Sequence, residues 1–114
     1  MDLKKILPKD VPPIDEVSKY IEKYKNDLIV IKYGGNVFVD RKIFDNFITD
    51  INILNKLGIS FTVVHGGGPR IKRELDKSNI QSKFIRGLRV TDEKIINIVE
   101  SVLIDFNNDI VNSL

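Results

Sequence analysis

Three consecutive glycines, residues 66–68, separate a β-branched run from a helix-like stretch in "VVHGGGPRIKREL", residues 63–75. Glycine lets a strand turn sharply into a helix, so one interpretation of these glycines is purely steric. The other is chemical, because bare N–H groups at a helix N-terminus form a cradle for an anion or a phosphoryl group. The spacing fits neither G-x-x-x-x-G-K-[ST] nor G-x-G-x-x-G, so the common nucleotide-binding motifs do not apply.

A second glycine pair, Gly34 and Gly35, follows the run "LIVIKY" at residues 28–33. Both glycine runs fall where a predicted strand ends. In a parallel sheet such loops emerge at the same carboxyl edge, which is where open α/β folds bind ligands. We therefore predict that the two bends share one site, and this favours the chemical interpretation over the steric one.

Three further side chains near these bends could take part in chemistry. Lys32 could neutralise negative charge on a transferring phosphoryl group, or it could be a strand-end lysine that reaches water. Arg89 in "RGLRVTD" suits bidentate recognition of a carboxylate, but Arg86 would serve this argument equally well. His65 has no acidic or hydroxyl partner fixed by the sequence, so we expect it to hydrogen-bond to backbone beneath the glycine loop and to have no catalytic role.

Apolar periodicity predicts the elements that position these residues. After an irregular arm over residues 1–13, an amphipathic helix is expected over 14–26 and a buried strand over 28–33. Asp40 is predicted to cap the next helix, which Gly58 ends, and residues 59–65 form a second buried strand.

The sequence after residue 65 predicts two helices with an irregular connection between them. Pro69 suits the first position of the helix after the glycine turn. Residues 77–90 are expected to form a loop or a short irregular hairpin, and Thr91 is predicted to cap a final helix. That helix stops at Leu114 without a glycine or a basic last turn, so we expect the chain to be truncated there.

This order of elements predicts an α/β fold. Two strands joined by a helix imply a mainly parallel sheet with both faces covered, a three-layer α/β/α sandwich. Residues 1–27 would form an N-terminal arm and helix, and residues 28–114 would form one lobe.

Composition narrows the classes of function. The 114 residues suit one domain or part of one, and the net charge of +2 comes from interspersed basic and acidic residues. We therefore expect no nucleic-acid partner, no membrane partner and no signal peptide. The chain has no cysteine and one histidine, which excludes disulfides and thiolate chemistry and argues against a structural zinc site; we predict no metal ligands.

Three motifs in order carry a resemblance to a known family: "KYGGN" at 32–36, "VVHGGGP" at 63–69 and "GLRVTD" at 87–92. Together they resemble the acetylglutamate kinases, a branch of the amino acid kinase family, over about residues 28–103. The resemblance implies cytoplasmic, ATP-dependent phosphorylation of the side-chain carboxylate of N-acetyl-L-glutamate in arginine biosynthesis, with Mg²⁺-bound ATP as co-substrate.

The resemblance also implies residue roles. Lys32 would stabilise the transferring phosphoryl group, Gly67 and Gly68 would bind the substrate through their backbone, and Arg89 would hold its α-carboxylate. Contacts on the phosphate or nucleotide side would come from Gly34, Gly35 and Gly66.

The resemblance covers only part of such an enzyme. Relatives are much longer, and the part absent here supplies most of the ATP site, so residues 28–114 would be a substrate-binding lobe that is inactive alone. The helix at 14–26 resembles an extension that links dimers into a hexameric ring in arginine-inhibited members, although it could instead fold back on its own domain. Two alternatives stay open: a related kinase acting on carrier-linked aminoadipate, and a binding or assembly module without phosphotransfer.

Overall fold

The computed structural model describes residues 2–34 and 40–114 of the chain. In these ranges the elements are α1 (Leu3–Ile6), α2 (Ile14–Tyr24), β1 (Leu28–Tyr33), α3 (Arg41–Lys56), β2 (Ser60–His65), α4 (Gly68–Lys77), β3 (Phe84–Ile85), β4 (Leu88–Arg89) and α5 (Glu93–Ser113). None of these helices combines the length and the apolar character that a bilayer crossing requires.

The N-terminal region contains more helix than the sequence predicted. The single turn α1 lies in the arm expected to be irregular, and the Leu7 N–H closes it by donating to the Leu3 carbonyl at 3.0 Å. The predicted amphipathic helix is confirmed as α2, which starts directly after Pro13 and has no buried residue. Its apolar stripe is therefore only partly covered.

Strands β1 and β2 form a parallel pair in which Leu28 is opposite Ser60 and Tyr33 is opposite His65. The connection between them runs through α3, as a parallel crossover requires. The α/β class and the parallel sheet are thus confirmed. Both strands end at the same level, which brings the two glycine bends to one edge.

One face of this sheet is exposed in the part of the chain that the structure describes. Leu28, Val30 and Val64 lie on it with 63%, 64% and 50% of their surface exposed. The helices α3 and α5 cover the opposite face, where Phe47 packs on Tyr33 and Phe106 packs on His65.

The described core includes two apolar clusters that share helix α5. The first joins α3 to α5, and the second joins α4 to α5. Their buried members are Phe44, Ile48, Phe106 and Ile110 in the first and Ile71, Leu75, Ile95 and Val102 in the second. Helix α5 therefore packs against both α3 and α4.

Local signals set most helix ends. The Asp40 carboxylate accepts the Lys42 N–H at 2.7 Å, which confirms the predicted cap of α3. Gly58 adopts φ 80 after that helix, in a Schellman arrangement closed by the Ile59 N–H to the Leu54 carbonyl at 3.1 Å.

The predicted cap of α5 is wrong by one residue. Asp92, not Thr91, is the N-cap, and its carboxylate accepts from the Lys94 and Ile95 N–H groups at 3.0 and 2.9 Å. The Thr91 hydroxyl instead turns back toward the Arg89 carbonyl. A carboxylate also interacts more favourably than a hydroxyl with the positive end of the helix dipole.

A short hairpin lies between α4 and α5, where the sequence predicted either a loop or a short irregular hairpin. Strands β3 and β4 pair antiparallel, with Phe84 opposite Arg89. The two turn residues, Arg86 and Gly87, have φ of 50 and 80. Positive φ at both central positions is characteristic of a type I′ turn.

Candidate functional site

The two glycine bends meet at one edge of the sheet. Tyr33 and His65 are register partners, and the Gly66 N–H donates to the Tyr33 carbonyl at 3.4 Å. This confirms the predicted common edge for Gly34 and for residues 66–68. Gly35 was also predicted to contribute, but it lies outside the described residues.

Gly67 and Gly68 differ in what surrounds them. A Cβ on Gly67 would come within 2.8 Å of Leu103 Cδ2, whereas a Cβ on Gly68 would meet nothing within 4 Å. Gly67 is the buried N-cap of α4, and Gly68 is the exposed first residue of that helix. The steric interpretation therefore explains Gly67, while the open space around Gly68 leaves room for a ligand.

The start of α4 has the properties of an anion site. Helix α4 begins at Gly68, one residue before the predicted start, and Pro69 follows at its second position. The first N–H groups of a helix have no partner within the helix and carry the positive end of its dipole. Because proline has no N–H, the donors available in the first turn are those of Gly68 and Arg70.

Arg70 ties the start of α4 to α5. Its Nη1 donates to the Asp109 carboxylate at 2.6 Å, and its Cζ lies 4.0 Å from the ring centroid of Phe106. Phe106 is fully buried, so the guanidinium covers a fixed surface. This contact holds the glycine bend against the core.

The side chains of His65 and Tyr33, which end the two strands, are held by packing and backbone contacts. His65 Nδ1 lies 3.2 Å from the Gly66 carbonyl oxygen, and its ring meets Phe106 edge to face with centroids 4.9 Å apart. This agrees with the expectation of a histidine held against backbone. Burial raises the pKa of the neighbouring Tyr33 phenol, so this hydroxyl stays protonated at neutral pH.

Lys32 is exposed and lies one residue before the edge. It alternates with Tyr33, so it belongs to the open face of the sheet with Val30 and Val64. That position is compatible with both open interpretations, phosphoryl stabilisation and a lysine that reaches water.

A cavity of about 630 Å³ brings together two of the predicted substrate-binding residues, Gly68 and Arg89. Its lining is formed by Gly68, Pro69, Lys72, Asp76, Gln81, Ser82, Phe84 and Arg89. Lys32, Gly34, Gly66 and Gly67 are not part of this lining. Arg86 is also outside it, in the exposed turn of the hairpin. The structure therefore favours Arg89 over Arg86 as a cavity residue, a choice that the sequence left open.

The sequence interpretation missed five polar or aromatic members of the cavity: Lys72, Asp76, Gln81, Ser82 and Phe84. Lys72 follows Gly68 by one helical turn, and its ammonium pairs with Asp76 at 2.6 Å. Phe84 could have been found from the turn type, because a two-residue turn at 86–87 pairs Phe84 with Arg89.

The described ranges contain no group of three or more His, Cys, Asp or Glu side chains that could hold a metal ion. The polar groups that line the cavity include Arg89 and the backbone at the start of α4, which suit an anionic ligand, while Lys72 is paired with Asp76.

Residues 27–114 match the sequence profile of the amino acid kinase family. The chain belongs to the amino acid kinase family. This confirms the resemblance inferred from the three motifs, and it agrees with the parallel sheet and the glycine bends at its edge.

Named relatives within this family are acetylglutamate kinases. The chain is 56% identical to the acetylglutamate kinase of Pelagibacter ubique, over 99% of this chain and 39% of the relative. It is 44% identical to that of Clostridium acetobutylicum, over 90% of this chain and 38% of the relative. The chain thus spans about two fifths of the length of these family members.

The fold also resembles a solved structure. The crystal structure of N-acetylglutamate synthase from Neisseria gonorrhoeae, complexed with coenzyme A and L-arginine, aligns with a TM-score of 0.73 and 23% identity over 89% of this chain and 24% of that one. At this level of identity the likeness concerns the fold alone.

Proposed function

We propose that this chain supplies the acyl-amino-acid side of a kinase that phosphorylates the side-chain carboxylate of N-acetyl-L-glutamate in the cytoplasm. The observation that carries the proposal is the cavity in which Arg89 and the N-terminus of α4 at Gly68 meet. A guanidinium and helix N–H groups are two donors suited to anionic oxygens. The choice of N-acetyl-L-glutamate as phosphoryl acceptor comes from the acetylglutamate kinase relatives.

Each residue would act through an elementary interaction. Arg89 would bind the α-carboxylate, and the backbone at Gly67 and Gly68 would hold the rest of the substrate. The Lys32 ammonium would neutralise charge on the phosphoryl group during transfer. Gly34, Gly35 and Gly66 would contact the phosphate side.

Mg²⁺-bound ATP would supply the phosphoryl group. The lysine and N–H groups of this chain fit phosphate oxygens, but they form only the rim of a nucleotide site. We propose that most of the ATP site belongs to sequence that the longer relatives have and this chain does not span. The chain alone would then bind N-acetyl-L-glutamate without phosphorylating it.

The test is calorimetry of the chain with N-acetyl-L-glutamate, using Arg89→Met and Arg86→Met as a matched pair from the same hairpin. Loss of a charge-assisted pair costs about 2 kcal/mol, so Arg89→Met should weaken binding ~30-fold, whereas Arg86→Met should leave it unchanged. Equal effects of the two variants, or no binding by the parent chain, would refute the proposal. Phosphate transfer from ATP by the unaided chain would contradict the placement of the nucleotide site.

We further propose that α2 contributes to homo-oligomer formation in a full-length protein, as a dimer or a hexamer. The support is its amphipathic sequence together with the absence of any buried residue in it. Light scattering of the full-length protein with and without residues 1–26 tests this: unchanged assembly after the deletion would rule it out.

A further inference from the structure

We propose that Ser82 and Phe84 are positioning residues that hold the Arg89 guanidinium in one orientation for the α-carboxylate of the substrate. This inference rests on the proposed function, because it assigns partners to the arginine that would bind that carboxylate. Neither residue would touch the reacting atoms; both would act through Arg89.

The hairpin fixes the relation between Phe84 and Arg89. The two residues are directly opposite each other in the β3–β4 ladder, and the Val90 N–H to the Lys83 carbonyl, at 2.8 Å, continues the pairing. Side chains of opposite residues emerge on the same face of a ladder. The Arg89 Cζ accordingly lies over the Phe84 ring, 4.7 Å from its centroid.

Phe84 acts as a platform for the guanidinium and not as a core residue. It belongs to neither apolar cluster, and 58% of its surface is exposed. A cation over an aromatic face is attracted by the ring quadrupole, and stacking fixes the plane of the guanidinium. The ring therefore supports the guanidinium from one side and limits its movement.

Ser82 fixes the rotation of the guanidinium through a hydrogen bond. Arg89 Nη1 donates to the Ser82 hydroxyl, and both side chains are partly buried at the cavity wall. With Nη1 engaged, the Nε and Nη2 groups remain as a pair of parallel donors. Two parallel N–H groups match the two oxygens of a carboxylate.

The experiment compares two ligands that differ only in the group Arg89 would bind. N-acetyl-L-glutamate carries the α-carboxylate, and 4-acetamidobutanoate is the same molecule without it. Both are titrated by NMR into the chain and into Ser82→Ala, Ser82→Thr and Phe84→Leu. Ser113→Ala is the control, because its hydroxyl bonds to the Asp109 carbonyl at 2.7 Å, away from this cavity.

The expected result is a selective loss. Ser82→Ala should weaken N-acetyl-L-glutamate binding about tenfold and Phe84→Leu about threefold, while binding of 4-acetamidobutanoate stays unchanged. Ser82→Thr keeps the hydroxyl and should restore affinity, and Ser113→Ala should match the parent chain. Equal weakening of both ligands by Ser82→Ala, or no weakening of either, would overturn the proposal.

A second measurement is independent of the ligand. Restricted guanidinium rotation should give separate Arg89 Nη proton signals in the parent chain and averaged signals in Ser82→Ala. Signals already averaged in the parent chain would overturn the positioning role. Separate signals in a chain that does not prefer N-acetyl-L-glutamate over 4-acetamidobutanoate would confirm the orientation by Ser82 and refute the proposed function of Arg89.

Discussion

The glycine bend after β2 provides a direct test of which glycine has a steric role. In Gly67→Ala the new Cβ would be placed 2.8 Å from Leu103 Cδ2 and 3.5 Å from Ile71 Cδ1. The first distance is well inside van der Waals contact, so Leu103 has to move. It packs against the α4–α5 cluster, so the displacement is transmitted to buried side chains.

The magnitude follows from three contributions to the free energy of unfolding. Overpacking a core costs about 1–3 kcal/mol, and the atom that must move here is a side-chain tip, which favours the lower half of that range. Alanine is a worse N-cap than glycine by about 0.5–1 kcal/mol. Alanine also lowers the conformational entropy of the unfolded chain, which stabilises the folded state by about 0.4–1 kcal/mol and offsets the capping loss. Gly67→Ala should therefore destabilise the chain by ~1–2 kcal/mol.

Urea unfolding of four proteins measures this effect: the parent chain, Gly67→Ala, Leu103→Ala and the double variant. If the clash with Leu103 is the cause, shortening Leu103 should cost about 1 kcal/mol less in the Gly67→Ala background than in the parent. Additive costs would refute the steric argument, and so would a Gly67→Ala variant as stable as the parent.

Gly68→Ala is the matched comparison. A Cβ on Gly68 meets no atom within 4 Å, so stability should change by less than about 0.5 kcal/mol. The added methyl group would occupy the cavity that Gly68 lines, so binding of N-acetyl-L-glutamate should weaken. A Gly68→Ala variant that loses stability as Gly67→Ala does would show that the two glycines are not distinguished by packing.

Three further predictions concern stability and can be measured by the same urea titrations. Asp92→Ala should lower the free energy of unfolding by about 1 kcal/mol because it removes the α5 cap, whereas Thr91→Ala should change it by less than about 0.5 kcal/mol. Arg86→Asn should raise it by about 0.5–1 kcal/mol, because asparagine tolerates the positive φ of the hairpin turn better than arginine does. Arg70→Lys should lower it by about 1 kcal/mol through loss of the guanidinium contact with the Phe106 ring, and Asp109→Asn should lower it less, because that carboxylate is exposed. Equal effects of Asp92→Ala and Thr91→Ala, or of Arg70→Lys and Asp109→Asn, would contradict the stated causes. An unchanged or lower stability of Arg86→Asn would contradict the argument from backbone strain.

The common edge of the two glycine bends was predictable because it depends on local patterns and one general rule. The apolar runs that end at Tyr33 and His65 mark the strands, and a helical crossover makes them parallel. Parallel strands of equal length then end side by side, as the register confirms. The rule requires no knowledge of which side chains pack together.

The cap of α5 and the lining of the cavity depended on tertiary detail. Thr91 and Asp92 are both good capping residues, and the choice between them depends on the residue at which the chain leaves the hairpin and α5 can begin. The roles of Ser82 and Phe84 depend on hairpin register, which the turn at Arg86 and Gly87 determines. Apolar periodicity did not specify that register, although a two-residue turn at 86–87 would have done so.

The open face of the sheet shows a different limit of sequence patterns. Leu28, Val30 and Val64 are apolar and β-branched or aliphatic, so the pattern predicted burial on both sides. A pattern reports the environment to which a side chain is suited, while actual burial depends on which other elements are packed against it. The described helices cover only the opposite face.

The glycine run couples packing to ligand recognition because its adjacent members face different surroundings. Close contact between Gly67 and Leu103 fixes where α4 begins, and the start of α4 fixes where the Gly68 N–H lies relative to Arg89. A change in α4–α5 packing should therefore alter both stability and affinity for an anionic ligand. Substitutions at Val30, on the open face, should change stability by less than about 0.5 kcal/mol and leave this affinity unchanged, because that side chain is 64% exposed.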